Sequence, residues 1–190
     1  MSPSDSTTVV LIPIRSFDDS KSRLAGALDP SERRRLSEWM AARVVEAAGS
    51  LPTRIVTDDS GVVEWAHSRQ VGVMTVGRQG LNASVTAAVE HAARVGFERA
   101  IIAHADLPAA TDLSVVDHGG VCIAPDRAHD GSNVMCVPTG AGFVFAYGPE
   151  SFNRHRAEAE RLGLALTIID DEQLAWDVDD PADLPPDWTP

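Results

Sequence analysis

Of the 16 basic residues in this 190-residue chain, only Lys21 is a lysine. Where arginine is the default cation, a retained lysine supplies a compact, flexible point charge that a planar guanidinium does not copy. Short apolar runs end at or just before polar residues able to do chemistry. The run Thr8–Pro13 leads into Arg15, Lys21 and Arg23, and Arg54–Thr57 stops at Asp58-Asp59. The run Ala100–Ala103 stops before Asp106, and the C-terminal region carries Asp177-Val-Asp179. Cations and hard carboxylates at one sheet edge suit a phosphorylated ligand and Mg²⁺, which binds through one or two carboxylates plus phosphate oxygens. Asp58 and Asp59 are read as turn or capping residues. Lys21, Asp106 and Asp179 are read as functional. Asp180, before Pro181, also fits a helix cap.

Other chemistries lack their residues. There is no G-x-x-x-x-G-K-[ST], so Lys21-Ser22 is no phosphate-cradling loop. No G-x-S-x-G elbow and no G-x-G-x-x-G follow a strand, and Gly140-Ala-Gly142 reads as a turn. The six histidines share no metal-ligand spacing. Cys122 and Cys136 fall in apolar runs and read as buried thiols. The formal charge of −12 disfavours nucleic-acid phosphates, and 5% aromatics disfavours base stacking. With no disulfide framework, leader or membrane-length apolar run, a cytoplasmic protein is expected, binding neither nucleic acid nor membrane.

These residues need a scaffold. Thr8–Pro13, Arg54–Thr57, Val71–Val76, Ala100–Ala103 and Val121–Ala124 are predicted strands. Helices between the first four give β-α-β-α-β-α-β, an α/β fold with a mostly parallel sheet covered on both faces. Asp29, Pro30 and Glu32 predict a capped helix that Gly49 ends. Asn82 is predicted to cap the helix running to Arg94. A short antiparallel excursion is expected from Val134–Val137 and Phe143–Ala146, then a helix over 149–162 and a strand over 165–169. Residues 1–7 are expected to be a flexible terminus, 8–184 one domain and 185–190 a tail.

Nine segments, taken together, carry a resemblance: Pro13-Ile-Arg15, Lys21-Ser-Arg-Leu24, Val56-Thr-Asp-Asp59, Gly80-Leu-Asn82, Ala105-Asp-Leu-Pro108, Ala124-Pro-Asp-Arg127, Gly131-Ser-Asn133, the stretch Phe145 to Phe152, and Asp177 to Leu184. Over residues 8 to 184 the chain resembles the 2-phospho-L-lactate guanylyltransferase family, whose actinobacterial members use phosphoenolpyruvate in coenzyme F-420 synthesis. It departs from that pattern at His104, Ser132 and Asp180.

The resemblance implies a three-layer GT-A-like nucleotidyltransferase fold. It also implies guanylyl transfer from GTP to a phosphorylated three-carbon acid, with release of pyrophosphate. Lys21 and Asp106 would be catalytic. Arg15, Lys21, Arg23, Gly80 and Asn82 would meet the nucleotide. Ser132, Gly148 and Ser151 would hold the acceptor, Ser151 with help from free backbone N–H groups at a helix start. Asp106, Asp177 and Asp179 would hold Mg²⁺. The product would pass to the next enzyme of the pathway, and a homodimer is left open. Two rival readings stand beside this one. The first is a related enzyme acting on a molybdopterin or sugar phosphate, although the G-G-x-S-x-R loop is missing. The second is a nucleotide-binding regulatory module without turnover.

Overall fold

The computed structural model describes residues 7–18, 21–77 and 80–189. The expected flexible segment 1–7 therefore lies outside the described residues except for Thr7. The strands are β1 (Thr8–Pro13), β2 (Thr53–Val56), β3 (Gly72–Met74), β4 (Arg99–Ala103), β5 (Val121–Pro125), β6 (Ser132–Pro138) and β7 (Leu166–Ile168). The helices are α1 (Pro30–Ala47), α2 (Ser60–Ser68), α3 (Leu81–Arg94) and α4 (Ser151–Arg161). The sheet order is β3-β2-β1-β4-β6-β5-β7. Only β6 runs antiparallel to its neighbours, β4 and β5.

Side chains on a strand point alternately to opposite faces, and β1 divides its residues accordingly. Val10 and Ile12 pack with Ala41 and Val44 of α1 and Trp65 of α2. Val9 and Leu11 pack with Val85 and Val89 of α3 and Phe152 of α4. Both faces are covered, giving three layers. The β1 run is continuously apolar for that reason.

Helix starts follow the expected chemistry at two places. The Asp29 carboxylate accepts from the Glu32 N–H at 2.8 Å, and the Glu32 carboxylate accepts from the Asp29 N–H at 2.7 Å, closing a capping box around Pro30. Asp59 caps α2 by accepting from the Val62 N–H, and Asp58 accepts from the N–H groups of Val76 and Gly77. Both are turn residues, as expected. Cys122 and Cys136 are free, buried and cross-strand partners. Burial pushes the Cys136 thiol up to about 12, despite the Arg99 guanidinium 2.9 Å from its sulfur.

Some expectations need correction. Phe143–Ala146 forms no strand. Both edges of β6 are already paired, so the ladder offers no free position. The segment's N–H groups go to side chains instead: Val144 to Glu158 and Ala146 to His155. Its alternation of Phe143, Phe145 and Tyr147 reflects an apolar wall, not a strand. Asn82 does not cap α3: Gly80 occupies that position, and the Asn82 side chain spans to Tyr147. The third and last strands are also shorter than their apolar runs.

Candidate active site

Three segments remote in sequence build the centre. The chain after β1 ends in a 3-10 turn, Ser22–Gly26, with Lys21 at its start. Lys21 adopts a left-handed backbone, φ 55° and ψ 40°, costing about 1 kcal/mol for a residue with a Cβ. That cost points to its side chain, not its backbone, as the reason a lysine stands there. Leu24 of this turn is buried with Leu28, Leu36, Met40 and Val178. Val178 thus anchors the C-terminal acidic segment to the Lys21 turn. Its N–H also reaches the carbonyl of Asp106, 3.3 Å away beyond the end of β4.

The result is a charge cluster. Lys21 Nζ lies 2.5 Å from Asp106 Oδ2 and 3.5 Å from Asp179 Oδ1. Arg23 lies 3.4 Å from Asp179 Oδ2. Burial works against both charges of the Lys21–Asp106 pair, but their mutual attraction outweighs it. The Lys21 pKa is therefore raised and that of Asp106 lowered. Burial and the neighbouring charges of Asp106 and Asp179 push the Asp177 carboxyl up. Asn133, buried at the start of β6, donates to Asp177 at 3.4 Å and to the Leu174 carbonyl at 3.0 Å.

Beside the cluster opens a cleft of about 1190 Å³, roomy for a small ligand. Arg15, Lys21, Arg23, Gly80, Asp106 and Asp179 line it, as do Asp58 and Asp59 at the end of β2. The cations expected after β1 and the carboxylates expected after β4 and near the C-terminus are thus brought together.

Asp106 Oδ1 is buried with no hydrogen-bond partner, while Oδ2 is engaged by Lys21. Such an orphaned oxygen requires an explanation. Among the described residues, no group of three or more His, Cys, Asp or Glu is arranged to hold a metal. Two carboxylates and a spare oxygen nevertheless fit Mg²⁺, which keeps waters and takes phosphate oxygens for its other positions.

The residues expected at the acceptor sit elsewhere, as do Asn82, expected at the nucleotide, and Asp177, expected at the metal. Asn82, Ser132, Gly148, Ser151 and Asp177 are not among the residues lining the cleft. Asn82 accepts from the Tyr147 N–H at 2.7 Å and donates to its carbonyl at 3.3 Å. Ser132 and Ser151 are covered, whereas Gly148 is exposed. At the start of α4, N–H groups expected to be free are engaged within the chain at Ser151 and Phe152, and so is that of the preceding Glu150. Glu150 N–H donates to the Asp130 carboxylate, Ser151 N–H to the Gly148 carbonyl and Phe152 N–H to the Asp130 carbonyl.

Sequence reasoning gave no role to His155, Asn133 or Asp130. A buried asparagine opening the apolar run of β6 was a usable signal for Asn133. His104 stood out only as a departure from the family pattern. It lines the cleft, and its Nε2 is buried without a partner.

A doubly covered α/β sheet with cations and carboxylates beyond its strand ends suits a nucleotidyltransferase. Residues 8–186 match the family described as "Guanylyl transferase CofC like", and the chain belongs to it. It is 32% identical over 188 residues to a phosphoenolpyruvate guanylyltransferase of Sphaerobacter thermophilus, covering 94% of this chain and 91% of that one. It is 30% identical over 189 residues to the 2-phospho-L-lactate guanylyltransferase of Methanothermobacter thermautotrophicus, covering 93% and 82%. In fold it is similar to a 4-diphosphocytidyl-2C-methyl-D-erythritol synthase, with a TM-score of 0.63 at 15% identity over 94% of each chain. The expected GT-A-like nucleotidyltransferase fold is thereby borne out. The chain is an enzyme of the nucleotidyltransferase class.

Proposed function

We propose that this enzyme transfers GMP from GTP to the phosphate of a three-carbon acid, phosphoenolpyruvate or 2-phospho-L-lactate, and releases pyrophosphate. The observation that carries this reading is the Lys21–Asp106–Asp179 cluster on the wall of the cleft. The names of the relatives supply the nucleotide and the acids. A substrate phosphate oxygen attacks the α-phosphorus of GTP as the bond to the bridging β-oxygen breaks. A phosphate monoester, with a second pKa of about 6, is largely dianionic at neutral pH and needs no general base. The obstacle is repulsion between anions, so catalysis consists of positioning and charge neutralisation.

Lys21 neutralises the triphosphate and the charge gathering on the leaving pyrophosphate, with Arg15 and Arg23 beside it. Asp106 and Asp179 would hold Mg²⁺, with Asp177 as a third carboxylate; the ion supplies charge neutralisation when bound. Gly80 presents backbone to the nucleotide. Asn82, beside it at the start of α3, would belong to the same nucleotide loop. Ser132, Gly148 and Ser151 take the acceptor. The catalytic domain spans 8–184, and the terminal segment after it lies against that domain, with Trp188 packed on the core around Val178. The reaction belongs to coenzyme F-420 synthesis in the cytoplasm, and its guanylylated product goes to the next enzyme of that route.

Pyrophosphate release tests this, with GTP, ATP or CTP against phosphoenolpyruvate, 2-phospho-L-lactate or 3-phosphoglycerate. GTP with one of the first two acids should be the best pair. Faster turnover with ATP or CTP overturns the nucleotide assignment. Full turnover in excess chelator overturns the metal assignment.

A further inference from the structure

His155 lies on α4 and is completely buried. Its ring sits among aromatic side chains, 4.8 Å from the Tyr147 ring centroid and 5.9 Å from that of Phe143. Both ring nitrogens are engaged. Nε2 lies 2.9 Å from the Ala146 backbone N–H. A backbone amide only donates, so Nε2 carries no proton. A neutral ring must then hold its proton on Nδ1, which lies 3.0 Å from Ser132 Oγ. Burial, with Arg154 and His104 against Glu158, keeps the ring neutral by depressing its pKa to about 4. Nδ1–H therefore donates, and the Ser132 oxygen accepts.

That assignment fixes the serine. With a lone pair used by His155, the Ser132 hydroxyl proton must point elsewhere, and no hydrogen-bond acceptor for it is found among the described residues. A shielded donor without an acceptor is costly, and an anionic oxygen would satisfy it. The neighbouring backbone is pinned as well: His155 holds Ala146, and Asn82 of α3 holds both backbone groups of Tyr147. Gly148 follows, at a φ of 118°.

We propose that His155 is the positioning residue of the acceptor subsite, turning the Ser132 hydroxyl so that its proton meets an oxygen of the phosphorylated acid. The proposal rests on the reading that Ser132 meets the acceptor.

Kinetics of His155→Gln, Ser132→Ala and the double variant test it. Glutamine places an amide oxygen for the Ala146 N–H but leaves Ser132 without its donor. Ser132→Ala and His155→Gln should each raise KM for phosphoenolpyruvate or 2-phospho-L-lactate by about tenfold, the weight of one charge-assisted hydrogen bond. KM for GTP should stay within about twofold, and the double variant should be no worse than either single one. An unchanged acid KM in Ser132→Ala overturns the acceptor reading itself. With that KM raised, an unchanged acid KM in His155→Gln, an equal rise for GTP, or multiplied effects in the double variant overturns the role of His155 alone.

Nitrogen-15 NMR of the wild-type imidazole covers a variant that fails to fold. The ring should be protonated at Nδ1, and its signal should move on adding the acid but not GTP. Protonation at Nε2, or a signal indifferent to the acid, overturns the proposal.

Discussion

Lys21 illustrates what one residue reveals before any fold is known. Its isolation among arginines marked it, and the structure places it against Asp106 and Asp179 on a strained backbone. A cation aimed at the leaving pyrophosphate acts more in the transition state than in the ground state. Lys21→Ala should therefore lower kcat by about a hundredfold or more, and Lys21→Arg should restore only part of it. A fall of less than about twofold, measured as pyrophosphate release, removes the catalytic role. Asp179→Ala should abolish nearly all turnover while keeping the far-ultraviolet circular dichroism of the wild type. Retained turnover would show that Asp179 carries no essential charge. Asn82 shows the opposite case. Its position before a helix gave a cap and the family resemblance a nucleotide contact, yet its amide is spent on Tyr147. A side chain that bonds a segment 65 residues away leaves no local trace.

Elements were legible where the signal is local. β1 declared itself by a continuous apolar run, and α1 by its capping box. Phe143–Ala146 was misread because alternation shows that a segment has an apolar side, not that a strand edge is free to receive it. The small core around Val178 was likewise invisible, since it joins a turn near the start of the chain to one near its end. Its role is separable from general packing. Val178→Ala should cost about 2 kcal/mol in denaturant unfolding, as truncation of a buried aliphatic side chain does. It should also lower kcat, because the flanking Asp177 and Asp179 lose their anchor. Leu36→Ala in the same core should be at least as destabilising and affect turnover less. Equal kcat losses at equal stability loss would deny Val178 a special part.

For the whole molecule, His155 predicts an acid limit. Its folded-state pKa is depressed to about 4 from an ordinary 6.5. Above pH 6.5 the ring is neutral in both states, and this contribution to stability is fully present. Between 6.5 and about 4 the unfolded chain takes up a proton that the folded chain refuses, so stability falls as pH falls. The loss levels off below pH 4 at about 3 kcal/mol. Urea unfolding at pH 7, 5.5 and 4 should show this slope, and His155→Asn, which has no titrating ring, should flatten it. A wild-type slope unchanged in His155→Asn would assign the acid sensitivity to other groups. The three-layer scaffold was readable because parallel strands and covering helices follow from local patterns. The insertion of β6 between β4 and β5 was not, because pairing order is a property of the whole sheet.

The bond from Lys21 to Asp179 spans 158 residues. On the ribosome, chain is made at roughly 5–20 residues per second, N-terminal part first, so Lys21 is present well before its carboxylate partner. The strands β1 to β4 can pair, and most of the cleft wall can form, while Asp179 is still unmade. The charge cluster therefore cannot be complete until the segment around Val178, which packs with Leu24, has been made. An incomplete chain would carry a sheet and a cationic loop but no finished charge cluster.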